Sequence, residues 1–336
     1  MKSSIRQRCV WGVLRLVRLY VVLLGILLVL RLGVGDRSPW SFAVNAFFLY
    51  AFLPLPLILI AGALVRRLEV FVVFALSASV WAFFWGALFL PQRDVRAKGP
   101  RLVVLVYNAL GYNLDAEDTL RVIRDSAADL VALQELNPET AAAIERVLGD
   151  VYPYRWLNPQ IGVLGGGLFS KYPLGRSLSP ASEVPWTVTP MAIELLVDGT
   201  HITVVGFHAD PGPHSVQRRQ QQAQALAEYA RRRKTPLLLV GDLNATDQNA
   251  AYALIAEPMR DAWREAGWGF GHTFPGRPTS QTGGSRPVFL GVPVPMWLVR
   301  IDYIFHSPDL LALDATLAPD RGRSDHRGVM ATFAIK

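Results

Sequence analysis

Two regimes of hydrophobic patterning divide the 336 residues. Up to about Lys98 the apolar residues run on with almost no polar beat. Ser38–Val65 is 28 residues without a charge and Val70–Gln92 is 23, where a bilayer-spanning helix needs about 20. Both runs carry aromatic residues that favour bilayer interfaces, and Pro54 and Pro56 are tolerated in a lipid-buried helix. An earlier run, Leu19–Leu30, has only 12 uncharged residues between Arg18 and Arg31. Arginines that snorkel at both ends extend it to a span from about Leu14 to Val34. A cleaved signal peptide competes for this segment, but further apolar runs follow and no small-residue cleavage site is evident, which favours an uncleaved anchor. The pattern predicts three spans, at 14–34, 41–65 and 69–91, in an anchor of residues 1–98.

From residue 99 onward short apolar runs alternate with helical periodicity, as in α/β domains. Leu102–Val106 predicts a strand that ends in Tyr107-Asn108. Glu117–Ser126 has Leu120, Val122 and Ile123 at helical spacing, and Leu130–Leu133 predicts the next strand, ending in Gln134-Glu135. Asn137-Pro138 opens a helix with an apolar stripe to Leu148. Gly165-Gly166-Gly167 leads into a strand and lacks a following GK[ST], so it reads as a flexible strand entry and not a phosphate loop. Met191–Val197 and His201–Phe207 alternate around Asp198-Gly199, a hairpin whose second strand runs into His208. Ser215–Lys234 predicts a polar helix whose arginines face solvent. Thr235–Asn244, TPLLLVGDLN, reads as a buried strand turning at Gly241. Asp242 and Asn244, two residues apart on extended chain, are expected to project together. After a helix around Asn249–Ile255, the Gly- and Pro-rich Gly267–Val294 predicts a long covering loop. Val299–Phe305 is a strand carrying Arg300, Asp302 and Tyr303, and Ser324-Asp325-His326 precedes a last strand, Gly328–Ile335.

Charge is unevenly distributed. The chain carries a net +7, but residues 1–98 hold 12 basic and 3 acidic residues, while residues 99–336 hold 22 and 24. The basic character thus belongs to the anchor, which weakens a nucleic-acid reading of the rest. Lys2, Arg6, Arg8, Arg15, Arg18 and the pair Arg66-Arg67 favour a cytoplasmic N-terminus, and three spans then place the following domain outside. Arg93, Arg96, Lys98 and Arg101 pull the other way. The one cysteine, Cys9, precedes the first span, so disulfides carry no information on compartment.

Eight polar residues fall at or just beyond strand ends: Asn108, Glu135, His208, Asp242, Asn244, Asp302, Asp325 and His326. A hard cation such as Mg²⁺ needs one or two carboxylates plus waters and phosphate oxygens, and Glu135 with Asp325 can supply them. Cleaving a phosphate ester also needs an orienter for the attacking water, a task that suits Asp242. Donors for the developing charge are at hand in Asn108, His208, Asn244 and His326. A carboxylate such as Asp302, bonded to His326, would fix its tautomer and raise its pKa. Zinc catalysis lacks an HExxH or a Cys pair, and a serine triad lacks a G-x-S-x-G elbow.

The ordered set YN (Tyr107-Asn108), QE (Gln134-Glu135), GFH (Gly206–His208), GDLN (Gly241–Asn244), RIDY (Arg300–Tyr303) and SDH (Ser324–His326) resembles the endonuclease/exonuclease/phosphatase family. The resemblance covers residues 99–336 and implies a four-layer α/β/β/α sandwich of two packed mixed sheets with the site at one end. It implies Glu135 as the principal Mg²⁺ ligand, helped by Asn108 and Asp325, with Mn²⁺ as a substitute. It also implies His326 paired with Asp302 as the catalytic histidine, Asp242 and Asn244 positioning water and phosphate, and His208 binding phosphate. The expected function is hydrolysis of a phosphodiester or phosphomonoester by metal-assisted attack of water, with a phospholipid head group favoured by the tether. A membrane-tethered nuclease is the alternative, for which Arg277, Arg286, Arg300, Arg321 and Arg323 would grip the backbone. A non-catalytic binding protein on the same fold is disfavoured, because every matched position holds the expected residue type. Three spans before such a domain resemble a bacterial subgroup, which implies the inner membrane.

Overall fold

The computed structural model describes residues 2–90, 99–113, 115–178, 184–276, 288–289, 291–319 and 322–335. They fall into two compact units, Met1–Leu90 and Pro91–Lys336.

The first unit is helical. α1 (Lys2–Val34) is one helix that begins upstream of the expected span and carries Arg6, Arg8, Arg15 and Arg18 within it. α2 (Pro39–Ala46) starts on a capping box in which the Ser38 side chain accepts from the Ser41 N–H. A 3-10 turn, Phe48–Phe52, precedes α3 (Leu55–Val65), and α4 (Leu68–Trp85) follows. The expected 41–65 stretch is therefore broken, and Pro54 and Pro56 explain where: neither has the N–H that would carry a helix into α3. Leu14, Val17, Ile58, Val70 and Val73 form the buried contact among α1, α3 and α4. Leu16, Val29, Leu32, Leu57, Leu64 and Phe83 remain exposed. Helices apolar on their outer as well as inner faces have the pattern of membrane spans. Three stretches, Ile5–Val34, Phe48–Val65 and Leu68–Phe89, are long and apolar enough to cross a bilayer.

The second unit is the four-layer sandwich. Its chain order is β1 (Arg101–Asn108), α5 (Ala116–Ser126), β2 (Leu130–Gln134), α6 (Pro138–Leu148), β3 (Tyr154–Asn158), β4 (Gly166–Ser170), β5 (Leu174–Leu178), β6 (Val188–Val197) and β7 (Thr200–His208). It continues with α7 (Val216–Arg232), β8 (Leu237–Asp242), α8 (Ala250–Ala256), β9 (Arg260–Asp261) and α9 (Ala262–Ala266). A short hairpin, β10 (Val288–Phe289) with β11 (Val292–Pro293), precedes β12 (Asp302–His306), β13 (Leu310–Leu317) and β14 (Val329–Ile335). One sheet has the order β13-β14-β1-β2-β4-β3 and the other β5-β6-β7-β8-β12-β9. Each is mixed, with one parallel pair at its centre: β1 with β2, crossed over by α5, and β7 with β8, crossed over by α7.

Alternation along β1 explains the layering. Leu105 and Tyr107 join Leu120, Val122, Ile123, Ile144 and Leu148 of α5 and α6 in one buried cluster. Leu102, Val104, Val106 and Asn108 must then face the other sheet, and β1 indeed packs on β8 and β12. Asn137 caps α6 by accepting from the Thr140 N–H at 2.8 Å, as the Asn-Pro pair predicts. The chain's last strand, β14, pairs antiparallel with β1 from Arg101↔Ala334 to Val106↔Val329. The sequence around the glycine trio is not a flexible entry: a Cβ on Gly165 would lie 1.9 Å from the Leu136 carbonyl oxygen, so the residue is required by close backbone approach.

Candidate active site

Strand register assembles the centre of the site. His208 on β7 pairs with Asp242 on β8, and Asp242 pairs with Asp302 on β12. Side chains on one rung of adjacent strands share a face, so three polar groups meet at the ends of three neighbouring strands. Like charges directly opposite repel. Burial first, and then the Asp302 charge, push the Asp242 carboxyl up to about 6, partly offset by His326 and His208. His326 arrives from the loop before β14, and its Nδ1–H donates to Asp302 at 2.9 Å. Burial would lower the His326 pKa, but Asp302 and Asp242 outweigh it and hold the imidazole well above its ordinary value. With Nδ1 committed, Nε2 is the nitrogen that faces Asp242 Oδ2, at 3.8 Å.

The first sheet supplies the opposite wall. Strand alternation continued past β2 would aim Glu135 at the helix layer with Val131 and Leu133. A left-handed backbone at Glu135 (φ 55°) breaks the alternation. Its carboxylate instead accepts from Asn108 Nδ2 at 3.0 Å and from the Gly111 N–H at 3.0 Å. Asn108 Nδ2 also lies 3.2 Å from Asp242 Oδ2, so one amide ties a carboxylate of each sheet. The Asn108 side-chain Oδ1 accepts from the Leu110 N–H at 3.1 Å. Ser324 donates to the Asn108 backbone carbonyl at 2.7 Å and accepts the His326 N–H at 3.0 Å, tying the loop before β14 to the end of β1.

Not every expectation on geometry holds. Asp242 and Asn244 do not project together from extended chain. β8 ends at Asp242, Asn244 is left-handed (φ 51°), and its N–H folds back to Asp242 Oδ1 at 2.7 Å. The Asn244 amide donates to the Ala209 carbonyl at 3.0 Å, fastening the loop after His208. Arg300 does not reach outward either: it is buried and bonded through both terminal nitrogens to Asp261. Arg323 pairs with Asp118 and Asp115, while Arg277, Arg286 and Arg321 lie outside the described residues. On α7, Arg219 is fully buried and donates to the carbonyls of Asp210 and Gly212, so that helix is not solvated all along its arginines. The described start of the long loop does cover the site: the Phe274 ring packs 5.0 Å from His326 and the Gly276 N–H donates to the Asp325 carbonyl.

The chemistry of the donors suits a divalent cation. His208 Nε2 is 4.0 Å from Glu135 Oε1 and 3.7 Å from Asp242 Oδ2, too far for hydrogen bonds, and His208 Nδ1 is buried without a partner. Glu135, Asp242, Asp302 and Asp325 bring four carboxyls to one end of the sheets against two histidines. Burial raises the Asp325 carboxyl, His326 counters that, and the Glu135 charge adds to the rise. Among the described residues Asp242, Asp302 and His326 form one compact potential ligand group, their donor atoms within 4.8 Å of one another. In that group Asp302 is already engaged by the His326 Nδ1–H at 2.9 Å. Glu135 accepts one hydrogen bond on each oxygen and keeps further lone pairs, the oxygen donors that suit a hard divalent cation.

The profile of the Endonuclease/Exonuclease/phosphatase family matches residues 105–326. No curated protein sequence matches the chain. Among solved structures it is similar to the endonuclease/exonuclease/phosphatase from Beutenbergia cavernae DSM 12333, at 20% identity over 70% of this chain and 72% of that one, TM-score 0.50. It is similar to D. rerio TDP2 complexed with single strand DNA product, at 16% identity over 69% and 98%, TM-score 0.54. A third is the human Nocturnin catalytic domain with bound sulfate anion, at 21% identity over 73% and 97%, TM-score 0.51. At these identities the likeness is one of fold.

Proposed function

The chain belongs to the Endonuclease/Exonuclease/phosphatase family, a family of metal-dependent phosphoester hydrolases, and we propose that it is a membrane-anchored, Mg²⁺-dependent member acting at a bilayer surface. The observation that carries this reading is the gap framed by Glu135 Oε1, Asp242 Oδ2, His208 Nε2 and His326 Nε2. These atoms converge without bonding one another, as groups waiting on a tetrahedral oxyanion and a water would. Asp242 accepts the proton of the attacking water, and the Asn244 N–H and Asn108 amide hold its carboxylate in place. His326, kept protonated and oriented by Asp302, offers Nε2–H to a phosphoryl oxygen; His208 Nε2 offers a second donor from β7. Asn244 acts by fixing both Asp242 and the loop after His208. Mg²⁺ on Glu135, with Asn108 and Asp325 beside it, would polarise the phosphoryl group, and Mn²⁺ would substitute for it.

The three apolar helices support an anchor, and the positive-inside pattern supports an extracytoplasmic catalytic domain on a bacterial inner membrane. A tethered endo- or exonuclease is the second reading, favoured by the DNA product bound to the D. rerio protein. The sulfate on human Nocturnin fits either reading. Against the nuclease, Arg300 and Arg323 are engaged by carboxylates within the fold. The test is turnover by the full chain, in Mg²⁺ and in EDTA, of plasmid DNA, sphingomyelin, phosphoinositides and bis-p-nitrophenyl phosphate. Mg²⁺-dependent cleavage of a lipid but not the plasmid is expected. Nicked plasmid with intact lipid would make the nuclease reading the right one.

A further inference from the structure

The two loops that pack against the strand end at Glu135 carry three apolar side chains that the phosphoryl chemistry leaves without a task. Ile161 is 80% exposed, Tyr112 55% and Leu164 37%. Their loops are fastened to the site. The Gly111 N–H donates to Glu135 Oε2, and the Asn137 amide donates to the carbonyls of Gly111 and Asn113. The Gln160 N–H donates to the carbonyl of Leu136, the residue after Glu135. A Cβ on Gly111 would lie 1.9 Å from the Gly162 carbonyl oxygen, and one on Gly162 would meet the Tyr112 hydroxyl at 3.0 Å, so the two loops are in direct contact. Tyr112 and Ile161 are therefore each one residue from backbone that touches the other loop, and Gly111 itself touches the carboxylate. Apolar groups held rigidly in water at the mouth of a site mark a contact surface.

We propose that this collar receives the alkyl part of an amphiphilic phosphate ester lying in a bilayer, which makes the substrate of the site a lipid phosphate; the inference rests on the phosphoesterase reading above. Charge agrees with it. Residues 99–336 hold 24 acidic and 22 basic residues, so the domain has no net attraction for a polyanion. The N-terminal unit agrees as well: its three stretches long and apolar enough to cross a bilayer would hold the chain at a lipid surface.

The test uses the full chain in lipid nanodiscs with Mg²⁺ and two diesters that release the same chromophore, methyl p-nitrophenyl phosphate and hexadecyl p-nitrophenyl phosphate. The parent is expected to prefer the hexadecyl ester. In Ile161→Asp, and separately in Leu164→Asp, the hexadecyl-to-methyl ratio should fall by about tenfold, the scale of losing one apolar contact. Partition of the long ester into the nanodisc is common to parent and variants, so the change in ratio isolates the collar. Variants that keep the parent's ratio would overturn the inference. A parent that cleaves the methyl ester without preferring the hexadecyl one would also overturn it while leaving the phosphoesterase reading intact. If the parent cleaves neither, that reading fails and the collar falls with it.

Discussion

At the scale of single residues the site is a set of groups kept apart by their partners. Asp302 fixes which nitrogen of His326 faces the gap, so Asp302→Asn should lower kcat by roughly 100- to 10,000-fold with little change in metal affinity, the range seen when acid–base groups lose their orienter. Steady-state kinetics with metal titration checks it. Asp242 must be ionised to take a proton. Its carboxyl is raised to about 6 without metal, and a bound cation can only lower it. The acid limb of the pH–rate profile should therefore fall at or below pH 6, activity being lost as pH drops through it, and Asp242→Asn should be inactive across the range. Glu135→Gln keeps an acceptor for the Gly111 N–H and removes the charge, while Asn108 Nδ2, which loses its Glu135 acceptor, keeps Asp242. It should abolish Mg²⁺ binding by calorimetry while leaving the melting temperature of the metal-free protein nearly unchanged. A metal-free melting temperature that drops sharply would mean Glu135 is structural.

Elements place those residues, and one buried ion network fixes the elements. Arg300 leads into β12, bonds Asp261 before α9 and lies 3.8 Å from Asp247, which Arg264 also holds. Removing one partner of such a buried set costs about 3–5 kcal/mol, so Arg300→Met should lower the unfolding midpoint steeply. Burial would raise the Asp247 carboxyl, but Arg300 and Arg264 hold it below its ordinary value of 3.8. Its contribution is fully present above about pH 4 and is lost as pH falls through the lower folded value, which thermal melts between pH 5 and 3 can follow. Central strands and their helices were legible from sequence because burial on both faces writes unbroken apolar runs, as in Leu237–Val240. Edge strands were not. β3 (Tyr154–Asn158) and β5 (Leu174–Leu178) are largely exposed and carry Arg155, Arg176 and Ser177, so no apolar period marks them. The residues of the six motifs do come together at one end of the two sheets, yet the turns at Glu135 and Asn244 were invisible, because a left-handed φ in a non-glycine residue leaves no trace in composition.

At the scale of the whole molecule the N-terminal helical unit carries its own probe. Cys9, the single cysteine, is exposed and precedes the first expected span. An impermeant maleimide should label it only after permeabilisation if the N-terminus is cytoplasmic; labelling of intact cells would invert the topology. The two sheets meanwhile repeat one plan. Outward from each central parallel pair run two antiparallel strands on either side, β14 and β13 with β4 and β3 in one, β6 and β5 with β12 and β9 in the other. The halves thus correspond by an approximate two-fold operation of topology. Under it β1 maps to β7 and β2 to β8, so Asn108 stands where His208 does and Glu135 follows the strand that answers to Asp242's. Asn108 Nδ2, 3.0 Å from Glu135 Oε1 and 3.2 Å from Asp242 Oδ2, joins the two halves. Register makes Gln134 the counterpart of Asp242, so the acid of the first half, Glu135, stands one residue further along. The two acids thus sit in unlike surroundings, Glu135 against the Gly111 N–H and Asp242 between His208 and His326, so that one plan used twice presents a bound group with two different faces.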